Sequence, residues 1–197
     1  DVLIVDEASQ IQLADYIPVF HRFHKSLKRV CFVGDHKQLA PYGQSDFPDL
    51  QSVFEVDHLV GHATFLDTQY RMPLPVGHFI SKHVYDDKLK SVHKINASNC
   101  VQFVDVDDGV EEKVSGGSSK NTREVQVAIL CARQMQKSRK SYRILTGYDA
   151  QRQAIEDALK KAGLKWEDIV FNVDSFQGNE ADFVIVSVVR TKSPGFL

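Results

Sequence analysis

The sequence lacks a charge excess, a long apolar run and a recognisable secretion signal. Lysine and arginine total 24 against 26 aspartate and glutamate residues, which gives a formal net charge of −2. This near balance excludes a histone-like protein that binds nucleic acid through bulk charge, but it leaves room for a narrow groove of local donors. No apolar run approaches the roughly 18 residues that a membrane-spanning helix needs, so no membrane partner is expected. The chain opens on an apolar run typical of a core strand, and no signal peptide is visible.

Cysteine is also scarce, and its placement excludes a disulfide framework. The three cysteines, Cys31, Cys100 and Cys131, are odd in number, far apart and without a Cys-x-x-Cys pair. This pattern predicts an intracellular protein, cytoplasmic or nuclear, with no zinc site. Two histidine pairs have a spacing that suits a metal on a helix, His21 with His24 and His58 with His62. Neither pair has a third ligand at a suitable spacing, so surface histidines are the preferred interpretation.

Residues 1–9 contain an apolar run, residues 2–5, which is followed directly by two acids, Asp6 and Glu7. Such a run is typical of a strand buried on both faces of a parallel sheet. Open α/β sheets bind ligands at the carboxyl ends of their strands, so a cation or a reacting group is expected beside the two acids. The alternative is that an acid or Ser9 only caps the next helix.

A second apolar run, residues 29–33, ends in Gly34-Asp35, so the first 35 residues read as strand, helix and strand of a parallel α/β layer. Gly34 allows the backbone to turn sharply after the strand. Gln38 follows in this loop with a neutral amide that accepts from water and donates to a phosphate oxygen. An ordinary polar turn is the alternative interpretation.

Tyr70 and Arg71 lie where a strand predicted over residues 63–67 leads into a helix that starts near Pro73. Arginine is planar and permanently charged, which suits bidentate contact with a phosphate. The adjacent Tyr70 ring offers a stacking surface for a base. A solvated arginine is the alternative.

The last dense stretch, residues 173–190, combines a polar turn with a strand predicted to be fully buried over residues 184–189. In the turn, Glu180 can accept from a sugar hydroxyl, whereas Ser175 and Gln177 can donate to phosphates. A polar connection between strands would explain the same residues.

The region between these stretches contains a polar loop, two helices and a basic cluster. The loop, residues 107–120, carries no assigned function. Asn121 starts one helix and Gly163 ends another, with a strand over residues 142–146 between the helices. The basic residues are Lys137, Arg139, Lys140 and Arg143. Such a cluster is either a solvated face or a contact for nucleic-acid phosphates.

Four stretches in one order closely resemble the motor core of superfamily 1 helicases, in the 5′-to-3′ branch of the up-frameshift helicase and senataxin. They are VLIVDEAS, GDHKQLAP, LDTQYRM and VDSFQGNEADFVIVSVVRT. The resemblance covers nearly the whole chain. It implies an α/β, RecA-like P-loop NTPase fold, with parallel sheets flanked by helices and ATP bound between two domains. Residues 1–60 would be the C-terminal part of the first domain, and residues 61–197 most of the second.

The resemblance also implies a role for each site residue. Asp6 would hold Mg²⁺, Glu7 would be the catalytic base, Gln38 would sense the γ-phosphate, Arg71 would contact that phosphate and Tyr70 would lie against the adenine. Gly178 would bring backbone close to the triphosphate and Glu180 would contact the ribose. Ser175 and Gln177 would face single-stranded RNA or DNA, or couple that strand to the nucleotide.

Two departures from the family pattern lead to further expectations. The sequence has no Gly-x-x-x-x-Gly-Lys-[Ser/Thr] phosphate loop, and the last arginine motif of the family would follow residues 195–197. The sequence is therefore expected to be a portion of an ATP-driven helicase or translocase that does not hydrolyse ATP efficiently by itself, with protein partners binding through further domains. Its first two strands are expected to have open edges and an uncovered apolar face. The alternatives are a non-catalytic nucleic-acid- or protein-binding module, or an unrelated Mg²⁺ enzyme that would explain only the first stretch.

Overall fold

The computed structural model describes residues 1–114 and 116–193. The chain divides into two compact units, Asp1–Gln102 and Phe103–Leu197. Residue 115 of the predicted polar loop and residues 195–197, after which the last family motif was expected, lie outside the described residues. The boundary near residue 60 between two RecA-like domains, which the resemblance implies, stays a prediction.

The first unit alternates short strands with short helices. Its strands are β1 (Val2–Val5), β2 (Arg29–Phe32), β3 (Thr68–Gln69) and β4 (Lys90–Ser91). Its α-helices are α1 (Ile17–Phe23), α2 (Asp57–Val60) and α3 (Leu74–Val84), and 3₁₀ turns occupy Ala8–Gln10, Leu13–Tyr16, Val53–Glu55 and Ser98–Cys100. Strand β1 pairs with β2, and β3 with β4, both in parallel. The strand predicted over residues 63–67 is absent, because pairing with β4 begins only at Thr68.

The pairing of β1 with β2 corrects the prediction that β1 is buried on both faces. The register sets Val5 beside Phe32, and these two half-buried side chains pack against a small core of Ala8, Tyr16 and Val53. The opposite face is uncovered, since Val2 is 62% and Ile4 70% exposed. The expected open, apolar face is therefore confirmed, while the expected double burial is wrong.

The second unit is built around a three-stranded parallel sheet. Its elements are β5 (Glu112–Lys113), β6 (Ser119–Lys120), α4 (Thr122–Lys137), β7 (Tyr142–Thr146), α5 (Asp149–Lys161), β8 (Val170–Asn172), α6 (Val173–Phe176) and β9 (Phe183–Ser187). The strand order is β8-β7-β9, and β5 with β6 forms a separate antiparallel pair. The strand predicted near residues 142–146 and both neighbouring helices are confirmed. Helices with parallel sheets in both units confirm the α/β class.

The core of the second unit lies between this sheet and the helices α4 and α5. Its buried residues are Val125, Ala128, Ala132, Tyr142, Ile144, Ile155, Leu159, Ile169 and Val170. The edge strand β9 shares only one face with this core, and Val184 and Val186 on the other face are 47% and 59% exposed. The prediction of a fully buried last strand is therefore wrong, because α4 and α5 pack against each other as well as the sheet and so lie on the same face. Among the described residues no helix combines the length and the apolar character that crossing a membrane requires.

Candidate functional site

The carboxyl edge of the β1–β2 pair carries the acidic residues predicted from the sequence. Because the strands run parallel, the segments that follow them leave the sheet side by side. Val33 N–H donates to Val5 C=O at 2.8 Å, and Ala8 N–H donates to Val33 C=O at 2.9 Å. These two bonds clamp the Asp6-Glu7 turn against the start of the Gly34 loop.

Asp6 and Glu7 sit in a turn with an unusual backbone. Glu7 has φ 50°, a left-handed conformation that is uncommon for a residue with a side chain. Its backbone N–H donates to Asp6 Oδ1 at 2.9 Å, and its Oε2 accepts from Gln10 Nε2 at 3.5 Å. Glu7 precedes the 3₁₀ turn at Ala8 but makes no side-chain cap bond there. The capping alternative therefore does not account for Glu7.

Gly34 is required by close packing. A Cβ at this position would stand 3.0 Å from the backbone nitrogens of Ala8 and Ser9, and 2.8 Å from Phe54 Cε2. Its φ lies outside the left-handed range, so the reason predicted from the sequence, a sharp turn, is replaced by a close approach. The absence of a side chain lets the second loop lie directly on the backbone that follows Glu7.

Gln38 is held by a carboxylate that the sequence did not single out. Its Nε2 donates to Asp35 Oδ2 at 2.9 Å, and Asp35 Oδ1 accepts from Lys37 N–H at 3.0 Å. The Tyr85 hydroxyl, from the end of α3, donates to the same Oδ2. Burial raises the pKa of Asp35, but the hydrogen bonds from Tyr85, Lys37 and Gln38 outweigh it and keep this pKa below its ordinary value. No spacing in the sequence relates Asp35 to a tyrosine 50 positions away.

Tyr70 and Arg71 are displayed on a turn that the neighbouring glutamine closes. Gln69 Oε1 accepts from Met72 N–H at 2.7 Å, and Gln69 Nε2 donates to Met72 C=O at 3.0 Å. The two residues between them are exposed, Tyr70 to 69%. Gly77 of α3 leaves space for the Gln69 amide, since a Cβ there would stand 2.6 Å from its Nε2. Gln69 is therefore a structural clamp, and sequence reasoning had assigned it no role.

The predicted site residues of the second unit follow β8. Ser175 Oγ donates to Asn172 C=O at 2.9 Å, inside the short helix α6. Gln177 follows that helix as its C-cap residue, and Gly178 has φ 78°. Glu180 lies exposed in the same loop before β9. Their convergence with Asp6, Glu7, Gln38 and Arg71 on one nucleotide stays a prediction.

The acidic turn has the donor chemistry that Mg²⁺ prefers. Asp6 is exposed, and its Oδ2 accepts no hydrogen bond from the described residues. Among those residues no group of three or more histidines, cysteines or acids could hold a metal ion. Mg²⁺ in nucleotide sites uses one or two carboxylates, with water and phosphate oxygens completing its shell. The open Asp6 oxygen therefore fits Mg²⁺ binding that is completed by water and phosphate. The described residues do not provide a site made only of protein ligands.

Parallel strands with acids and a close-packed glycine at their carboxyl edge place this chain in the α/β class, whose open sheets bind ligands at that edge. Comparison with known proteins narrows this class. The model of a family described as AAA domain matches residues 43–197. The chain belongs to this AAA domain family of superfamily 1 helicases.

Three relatives illustrate the similarity. An uncharacterized ATP-dependent helicase of Methanocaldococcus jannaschii is 28% identical over 222 residues, which span 100% of this chain and 32% of that protein. The probable helicase senataxin of Homo sapiens is 32% identical over 97% of this chain and 8% of its own length. The ATP-dependent helicase upf1 of Schizosaccharomyces pombe is 30% identical over 96% of this chain and 23% of its own length. The chain thus spans at most about a third of these three relatives.

Proposed function

We propose that this chain is part of the motor of an ATP-dependent helicase or translocase, which couples ATP hydrolysis to movement on single-stranded RNA or DNA. One observation carries the proposal. The parallel β1–β2 pair sets Asp6 and Glu7 beside the loop of Gly34 and Gln38, at the edge where α/β proteins bind nucleotides. The names of the relatives favour this enzyme over a non-catalytic binding module. The RecA-like P-loop NTPase fold is part of the proposal.

The reaction is in-line attack of water on the γ-phosphoryl group, in which positioning and charge stabilisation do most of the work. Glu7 orients the attacking water and accepts its proton. Gln38 contacts the γ-phosphate, and Arg71 offsets the charge that develops on it. Asp6 would hold Mg²⁺, which would supply positive charge to offset that of the phosphates. Tyr70 lies against the adenine.

Residues of the second unit have proposed roles of their own. Glu180 accepts from the ribose, and Gly178, with its left-handed backbone, brings main chain close to the triphosphate. Ser175 and Gln177 contact the single strand or transmit its presence to the nucleotide. Glu180 is exposed, as a group that meets a ligand must be.

The test compares Glu7→Gln and Arg71→Ala in the full-length protein, with ATP turnover measured in the presence of single-stranded RNA and DNA. We expect Glu7→Gln to lower kcat by about 10² to 10⁴. Loss of an arginine that stabilises the transition state lowers kcat by about 10³ to 10⁵. Glu167→Gln and Arg22→Ala, at exposed positions, are the matched controls and should retain full turnover. Normal turnover of both test variants with either polymer would show that the assigned roles are wrong.

A further inference from the structure

Tyr85 forms a contact that the proposed roles do not use. Its hydroxyl donates to Asp35 Oδ2, the oxygen that also accepts from Gln38 Nε2 at 2.9 Å. One carboxylate oxygen therefore joins the end of α3 to the amide assigned to the γ-phosphate. The second oxygen is occupied as well, by Lys37 N–H at 3.0 Å. With both oxygens engaged, the Asp35 carboxylate has one orientation, and it passes that orientation to Gln38.

The backbone around Tyr85 is fixed. Asp86 and Asp87 have φ 52° and 59°, two consecutive left-handed residues with side chains, which persist only where neighbours hold them. Asp87 N–H donates to Ser81 C=O at 3.0 Å, and Leu89 N–H donates to the buried Ser81 Oγ at 3.1 Å. These hydrogen bonds hold the backbone at the end of α3, which carries the Tyr85 ring.

The charges define which group donates. Burial raises the pKa of Tyr85 to about 12, with the Asp35 hydrogen bond and charge adding to the effect and a side-chain hydrogen bond with Gln38 opposing it. Tyr85 is thus a neutral donor and Asp35 a charged acceptor over the physiological pH range. Hydrogen bonds to a charged acceptor are roughly twice as strong as neutral ones.

Helix α3 connects this contact to the other proposed phosphate ligand. It begins at Leu74, three residues after Arg71, and ends immediately before Tyr85. Its 11 residues form one continuous α-helix. The hydrogen bonds that Gln38 and Tyr85 donate to Asp35 therefore connect Gln38 to this helix.

We propose that Tyr85 is a positioning residue that holds Gln38 through Asp35 and links Gln38 mechanically to the helix that begins beside Arg71. The inference rests on the proposed function, since it takes Gln38 and Arg71 to be the γ-phosphate contacts. Tyr85 itself touches no reacting atom.

The experiment is a double-mutant cycle in the full-length protein, with kcat and KM for ATP measured in the presence of single-stranded nucleic acid. Tyr85→Phe keeps the ring and removes the hydroxyl. We expect kcat to fall about 10- to 100-fold with KM within about twofold, as for loss of a hydrogen bond to a charged group. In a Gln38→Ala background the same change should lower kcat less than twofold. Tyr42→Phe, at a fully exposed tyrosine, is the matched control and should leave kcat unchanged.

A second readout does not depend on activity. Spectrophotometric titration should show one fewer tyrosine with a raised pKa in Tyr85→Phe than in the wild type, because the pKa of Tyr85 is about 12. Asp35→Asn should move it back towards the ordinary value. If the titration behaves so but the two kcat effects are additive, Tyr85 is only structural and the positioning role is overturned while the proposed function stands. A wild-type protein without ATP turnover would overturn both.

Discussion

Gln151 is the residue whose replacement tests most directly how the second unit is held together. Its side chain is fully buried and reaches two other elements. Its Oε1 accepts from Asn121 N–H at 2.8 Å, and its Nε2 donates to Asn121 C=O at 3.3 Å and to Ser187 Oγ at 2.8 Å. The amide of α5 thereby ties the start of α4 to the end of β9. Gln151→Leu removes all three bonds while nearly preserving the side-chain volume.

The expected loss in free energy of unfolding depends on which hydrogen bonds each partner of Gln151 keeps. Asn121 C=O still accepts from Val125 N–H at 3.1 Å, and Ser187 Oγ still donates to Glu124 Oε2 at 2.6 Å. Asn121 N–H has no other acceptor among the described residues, and a buried donor without a partner costs about 1–3 kcal/mol. The two other lost bonds are worth about 0.5–1.5 kcal/mol each, and the apolar leucine offsets part of the loss. The free energy of unfolding should therefore fall by about 2–4 kcal/mol.

The single tryptophan makes the measurement specific to this unit. Trp166 packs against the core of the second unit, with Lys160 Nζ 3.8 Å from the ring centroid. Its fluorescence during urea unfolding therefore reports this unit. With a typical slope of about 1–3 kcal/mol per molar urea, a loss of about 2–4 kcal/mol should lower the midpoint by about 0.7–4 M. Gln153→Leu is the matched control, because this exposed glutamine of the same helix donates to Asp157 at 3.0 Å and has no further side-chain bond among the described residues.

The control should change the free energy of unfolding by less than about 0.5 kcal/mol. Equal midpoints for the two variants would mean that the buried amide contributes nothing, and the bonding scheme above would be refuted.

Two further predictions concern the first loop and the acidic pH range. Gly34→Ala should lower the free energy of unfolding by about 1–3 kcal/mol in thermal unfolding, because its Cβ would stand 3.0 Å from two backbone nitrogens. The control Gly61→Ala should not, because its Cβ would meet only a carbonyl oxygen at 3.5 Å. Equal effects of the two changes would contradict the packing argument. The Thr191 N–H hydrogen bond and the Arg190 side chain keep the pKa of Glu111 below its ordinary value, so its stabilising contribution is present above about pH 4.3 and is lost as the pH falls through the folded pKa. The stability difference between wild type and Glu111→Gln, followed by the same tryptophan fluorescence, should shrink on acidification, and a pH-independent difference would refute this linkage.

Local features of the sequence determined several elements correctly. Asn121 was expected to start a helix, and its side chain accepts from the N–H groups of Arg123 and Glu124. Gly163 was expected to end another helix, and it follows α5 with φ 65°. Both signals act within one turn of the chain, so neighbouring residues suffice to encode them. The placement of Asp6 and Glu7 directly after a parallel strand is equally local.

The extent of strand burial was decided by tertiary structure. The apolar runs of β1 and β9 predicted burial on both faces, but each strand has only one covered face. The apolar residues of a strand indicate only that its side chains can pack against an apolar surface. Which surfaces cover it depends on where the helices pack, and no spacing within the strand encodes that.

The sequence by itself determined the α/β class and the order of the motif stretches, and it supplied the residues proposed to bind a nucleotide. Only the tertiary structure joined Asp35 to Tyr85 and Gln151 to Asn121 and Ser187. These partners lie 30 to 50 positions apart along the chain. Their contacts arise from strand register and helix packing, which local periodicity and capping signals do not specify.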